Sequence, residues 1–89
     1  MEKNEKFPNN KELREAVLTA LKHLGGSGTT QEINKKAIEV LNLSEEVINL
    51  EYPDGLCTML DYKLRLVRTG LKGKGLISNS KRGIWEIID

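Results

Sequence analysis

Apolar residues recur along this chain first at helical spacing and then, near the C-terminus, at strand spacing. Leu13, Ala16, Val17, Ala20, Leu21 and Leu24 stand at i, i+3, i+4, i+7, i+8 and i+11, one stripe of an amphipathic helix. The helix starts at Pro8-Asn9-Asn10, where Asn9 and Glu12 have capping-box spacing, and Gly25-Gly26 stops it. Gly28-Thr29-Thr30 reads as a turn with a residue or two of strand. Thr29 and Glu32 repeat the capping-box spacing ahead of a second helix. Its buried face is Ile33, Ala37, Val40 and Leu41, and it ends near Asn42 with Leu43 packed over the end. Ser44-Glu45-Glu46 caps a short helical turn through Val47-Ile48. Residues 49–57 read as a loop, because Pro53-Asp54-Gly55 carries turn chemistry.

The third main helix covers about Thr58 to Gly73. Leu60, Leu64, Val67 and Leu71 form its core seam, and Asp61, Arg65, Arg68 and Lys72 repeat that spacing on a stripe turned about 100° away. Tyr62, Leu66 and Thr69 lie roughly opposite the core, and Lys74-Gly75 closes the helix. The period then drops to that of a strand in Leu76-Ile77-Ser78-Asn79. Ser80-Lys81-Arg82-Gly83 reads as a turn and Ile84-Trp85-Glu86-Ile87-Ile88 as a second strand. Helix, helix, helix, hairpin is the order of a winged helix-turn-helix. The expected fold is therefore α+β, three main helices plus a C-terminal two-stranded β-hairpin wing. Residues 1–7 are expected to form a disordered tail and 8–89 the domain.

Length narrows the chemistry. Eighty-nine residues and four aromatics (Phe7, Tyr52, Tyr62, Trp85) support one modest, mainly aliphatic core. A large enzyme does not fit in it, and a buried active site with a cofactor would consume most of it. The single cysteine, Cys57, excludes an internal disulfide and a cysteine zinc site, and the single histidine, His23, excludes a multi-histidine metal centre. No metal and no cofactor are expected. No run approaches the roughly 20 apolar residues of a membrane span, and Met1 to Lys6 lacks the apolar segment of a signal peptide. The expectation is a cytoplasmic domain with no membrane partner.

Charge becomes informative once it is divided. The net charge is +1, yet residues 1–58 carry seven basic and ten acidic groups, a balance of −3. Residues 59–83 carry seven basic groups against Asp61 alone, +6, and residues 84–89 add −2. A basic segment that coincides with a helix and a hairpin tip points to a polyanion. A helix 10–12 Å across fits the DNA major groove, roughly 12 Å wide, while a wing lies on the neighbouring backbone. Arg65 and Arg68 are the expected base readers, since a guanidinium bonds guanine through two parallel hydrogen bonds. Tyr62, Lys63 and Thr69 are candidates for bases or phosphates. Lys72, Lys74, Lys81 and Arg82 are expected on phosphates. Trp85 is read as core.

The stretch from Leu66 to Trp85 resembles the end of the Mrr N-terminal domain. Its most specific part is Gly75-Leu76-Ile77 followed by Ser80-Lys81-Arg82-Gly83-Ile84-Trp85. Leu13 to Leu24, Ile33 to Leu41 and Leu43-Ser44-Glu45-Glu46 are similar to that family too, so the resemblance spans about residues 7–88. It implies a winged-helix module that binds double-stranded DNA, modified or not. Such modules are usually fused to a nuclease domain in restriction systems that act on modified, often methylated, DNA. No nuclease half lies within these residues, and an excised domain or a free-standing relative both fit. The family commonly has a tryptophan in the recognition helix where this chain has Leu66, so a contact made by that tryptophan does not carry over.

Three rival readings use the same residues. Pro53-Asp54 with Asp61-Tyr62-Lys63 superficially resembles a nuclease signature, but that chemistry needs its carboxylates and lysine on adjacent strands around magnesium. Asp61 and Lys63 in a helix diverge by about 200°. A protein-interaction or dimerisation module is the alternative, with Tyr62, Leu66 and Thr69 as the docking face. RNA is a weaker option, because no aromatic stacking platform is visible. The sequence-based expectation is a monomeric or weakly dimeric domain with no catalysis of its own.

Overall fold

A computed structural model describes residues 5–53 and 55–88. The element order is α1 (Asn10–His23), β1 (Ser27–Thr29), α2 (Thr30–Leu41), α3 (Glu45–Ile48), α4 (Met59–Gly73), β2 (Ile77–Lys81) and β3 (Ile84–Ile87). The helices followed by an antiparallel C-terminal hairpin have the winged-helix arrangement.

Both expected capping boxes form. The Asn9 side chain accepts from the Glu12 amide at 2.8 Å, and the Glu12 carboxylate accepts from the Asn9 amide at 3.0 Å. Thr29 and Glu32 make the same reciprocal pair at 3.1 and 2.9 Å. Ser44 caps α3 and Thr58 caps α4 through their hydroxyl oxygens. The two long ends also match each other. After α1, the Gly25 amide donates to the Lys22 carbonyl and the Gly26 amide to the Leu21 carbonyl. After α4, the Gly75 amide donates to Lys72 and the Leu76 amide to Leu71. This double bond needs a left-handed residue, which Gly25 (φ 85°) and Gly75 (φ 76°) supply without a Cβ penalty.

The core is where α1, α2 and α4 meet. Leu13, Val17 and Leu21 of α1, Ile33 and Ala37 of α2, Leu60, Leu64 and Leu71 of α4, and Ile77 of β2 are buried together, with Leu43 and Val47 closing one end. Val40, expected on the buried face of α2, is instead exposed at its margin. Phe7, expected in a disordered tail, packs against the core, while residues 1–4 lie outside the described residues.

The sheet has three strands in the order β1-β3-β2, both pairings antiparallel. β1 pairs Ser27 with Glu86, Gly28 with Trp85 and Thr29 with Ile84. The hairpin is longer than Leu76 to Asn79 suggests, since β2 continues to Lys81, opposite Ile84, and only Arg82 and Gly83 turn. One extra residue is accommodated between Ser78 and Lys81, a bulge that lets low-propensity Asn79 and Ser80 remain in the strand. The segment before α4 also has more order than a plain loop. The Met59 amide donates to the Leu50 carbonyl at 2.7 Å and the Tyr52 amide to Cys57 at 3.0 Å, with Glu51 bridged to Thr58. The expected turn residue Asp54 lies outside the described residues.

Candidate nucleic-acid interface

Helix α4 divides its faces by position. Leu60, Leu64, Val67 and Leu71 are buried, and Tyr62, Leu66, Thr69 and Gly73, at i, i+4, i+7 and i+11, form the opposite stripe. Arg65 and Lys72, seven residues apart, share an exposed flank of that stripe. Lys63 is half-buried and lies about 160° around the helix from Arg65, so it belongs to the other flank.

Arg68 corrects the sequence reading. Expected on the solvent-facing basic stripe as a base reader, it is only 5% exposed. It sits four residues after Leu64 and three before Leu71, at the edge of the core seam, where α2 and β3 close over it. One guanidinium nitrogen (Nη1) donates to Asn34 Oδ1 at 2.6 Å, and the guanidinium carbon lies 5.7 Å from the centre of the Trp85 ring. Trp85 Nε1 in turn donates to the Thr30 hydroxyl at 3.1 Å. Thr30 and Asn34 are one turn apart on α2, so four side chains tie α2, α4 and β3 together. Arg68 Nε is buried and has no hydrogen-bond partner among the described residues. Burial pulls the Arg68 pKa below its ordinary value, with Asp61 opposing that shift and Arg65 adding to it. Arg68 is a structural cation in this state and is not available to a groove.

The remaining candidates are solvent-accessible. Arg65 lies over the Tyr62 ring, 5.7 Å from its centre. Tyr62 stacks on Tyr52 with centroids 4.2 Å apart and planes at 27°. Tyr52 was not among the expected site residues, and no short-range spacing signals it, since the two rings meet across the turn that leads into α4. Thr69, Lys74, Lys81 and Arg82 are exposed. Lys72 donates to Asn79 Oδ1 of β2 at 2.8 Å, joining the last turn of α4 to the hairpin. Among the described residues, none of Arg65, Lys72, Lys74, Lys81 and Arg82 has a carboxylate partner, whereas Lys36 pairs with Glu39 at 3.2 Å on α2.

The wing was expected as a two-stranded hairpin, and β1 adds a third strand to it. β1 pairs along the hairpin to Ile84, and the Thr30 amide donates to the Gly83 carbonyl at 3.3 Å, so the tip is level with the start of α2. Lys81 and Arg82 are therefore presented beside the start of α2. The nuclease-like reading finds no support in the backbone: Asp61 and Lys63 lie within α4, not on adjacent strands, and Asp54 is outside the described residues.

A winged-helix domain whose fourth helix and hairpin carry exposed cations without a carboxylate partner among the described residues is the class these features define. The Mrr N-terminal domain model matches residues 11–89, nearly the whole chain, and the protein belongs to that family. By that description the matched unit is the N-terminal domain of Mrr-type proteins. No curated protein and no solved structure matches the chain. Among the described residues no helix is long and apolar enough to cross a membrane.

Proposed function

We propose that this domain binds double-stranded DNA and carries no catalysis of its own, bringing a fused or separate nuclease to its target. The observation that supports the reading is the Lys72–Asn79 bond of 2.8 Å. It joins the exposed cationic flank of α4, Arg65 and Lys72, to the strand that ends at Lys81, with Arg82 in the turn just beyond. In this reading α4 enters the major groove, Arg65 reads a guanine, and Lys72, Lys74, Lys81 and Arg82 lie on phosphates. Thr69 and Tyr62 face the bases between them. A modified target is part of the proposal on the family's ground alone.

The alternative, a protein-docking or dimerisation module, draws on exposed leucines: Leu56 is 87% exposed, Leu50 49% and Leu66 47%. Salt separates the two. With about four phosphates neutralised, raising salt from 50 to 200 mM weakens DNA binding on the order of 100-fold. An apolar protein interface holds or strengthens over the same range. Fluorescence anisotropy of a labelled duplex at both salts makes the measurement; absence of duplex binding at 50 mM rejects the DNA reading.

A further inference from the structure

Leu66 stands at the centre of the outward stripe of α4, and the core has no use for it. It lies between Tyr62 and Thr69, 47% exposed, while Leu60, Leu64 and Leu71 bury the opposite face. Its surroundings are shaped for close approach. Gly70 and Gly73 follow it, and a Cβ added at either would meet no atom within 4 Å. No internal packing therefore demands glycine at these two places, though glycine weakens a helix relative to alanine. Both lower the surface beside Leu66. Arg65 and Lys72 rim the stripe with unpaired positive charge, which selects a polyanion over a neutral partner.

This inference rests on the DNA-binding reading and names what the helix reads. α4 contains no Asn and no Gln, so it lacks the bidentate partner for adenine. Its outward groups are the Arg65 guanidinium, the Thr69 hydroxyl, the Tyr62 ring already stacked on Tyr52, and the exposed isobutyl group of Leu66. The apolar feature a base pair offers in the major groove is the thymine C5-methyl. We propose that Leu66 is the specificity-determining residue of α4 and packs on the methyl of a thymine neighbouring the base pairs approached by Arg65 and Thr69.

Uracil lacks that methyl and leaves the pairing edge and the phosphates unchanged, so thymine-to-deoxyuridine exchange is the test. Duplexes of 20 base pairs are selected from a randomised pool on the wild-type domain, then resynthesised with each thymine replaced singly by deoxyuridine. The expected result is about fourfold weaker binding at one or two positions, the effect of one buried methyl. Leu66→Ala, an exposed change, is expected to bind the thymine and uracil duplexes alike. Equal wild-type affinity for every thymine and uracil pair, discrimination that survives Leu66→Ala, or a selection without a preferred sequence overturns the assignment while salt-dependent duplex binding remains. Loss of all salt-dependent binding to any duplex overturns the DNA reading and this assignment together.

Discussion

Arg68 and Trp85 are 17 residues apart in sequence, yet the Arg68 guanidinium lies 5.7 Å from the centre of the Trp85 ring, held there by its 2.6 Å bond to Asn34. The contact makes α4, α2 and the hairpin one unit. It also removes from the exposed face of α4 an arginine that helical spacing alone would assign to it.

Substitutions at position 68 should act on stability. Arg68→Ala removes the cation–π contact, the hydrogen bond and buried side-chain volume, and about 1–3 kcal/mol of unfolding free energy is expected to go with them. Arg68→Met keeps most of the volume and relieves a buried cation that has no carboxylate partner, so it should lie within about 1 kcal/mol of wild type. Urea denaturation of the two variants checks both values. At low salt, Arg68→Met should retain duplex affinity; a tenfold loss with stability intact would return Arg68 to the interface.

The Trp85–Thr30 bond is expected to couple the hairpin to the start of α2. Trp85→Phe keeps a ring for Arg68 but leaves the Thr30 hydroxyl without its donor. A double-mutant cycle with Thr30→Val should yield a coupling of about 0.5–1.5 kcal/mol. Additive losses would mean that the bond contributes nothing.

Arg65 and the outer cations should separate by the kind of loss they cause. Arg65→Ala is expected to cost about 1–3 kcal/mol of binding on preferred sequences and less on others. Lys72→Ala, Lys81→Ala and Arg82→Ala should weaken all duplexes equally, each reducing the slope of log affinity against log salt by about 0.9. A sequence-independent loss at Arg65 would move it to the phosphate class.

Glycine positions test helix against turn. Gly70→Ala, with open space around the new methyl, should stabilise the protein by about 0.5–1 kcal/mol. Gly75→Ala forces a Cβ into φ 76° and should destabilise it by about 1 kcal/mol. Thermal unfolding of the pair gives opposite shifts in Tm. If the groove-facing stripe is seated as proposed, Gly70→Ala also weakens duplex binding despite its greater stability.

Local chemistry was legible from residue order alone. The stripe from Leu13 to Leu21, the Asn9/Glu12 and Thr29/Glu32 boxes, the glycine stops and the seam from Leu60 to Leu71 depend on neighbours within about four positions, and all stand in the structure. So did the helices-then-hairpin order that places the chain in the winged-helix class. Tertiary contact decided the rest. Whether Arg68 faces solvent depends on α2 and β3, which close over a position at the margin of the seam, and helical period cannot report a neighbour from another part of the chain. Tyr52 meets Tyr62 through a turn, and the tip is held by β1 and Thr30 across more than 50 residues. Periodicity determines which way a side chain leaves its own element; only packing of the elements determines whether it finds water or protein there.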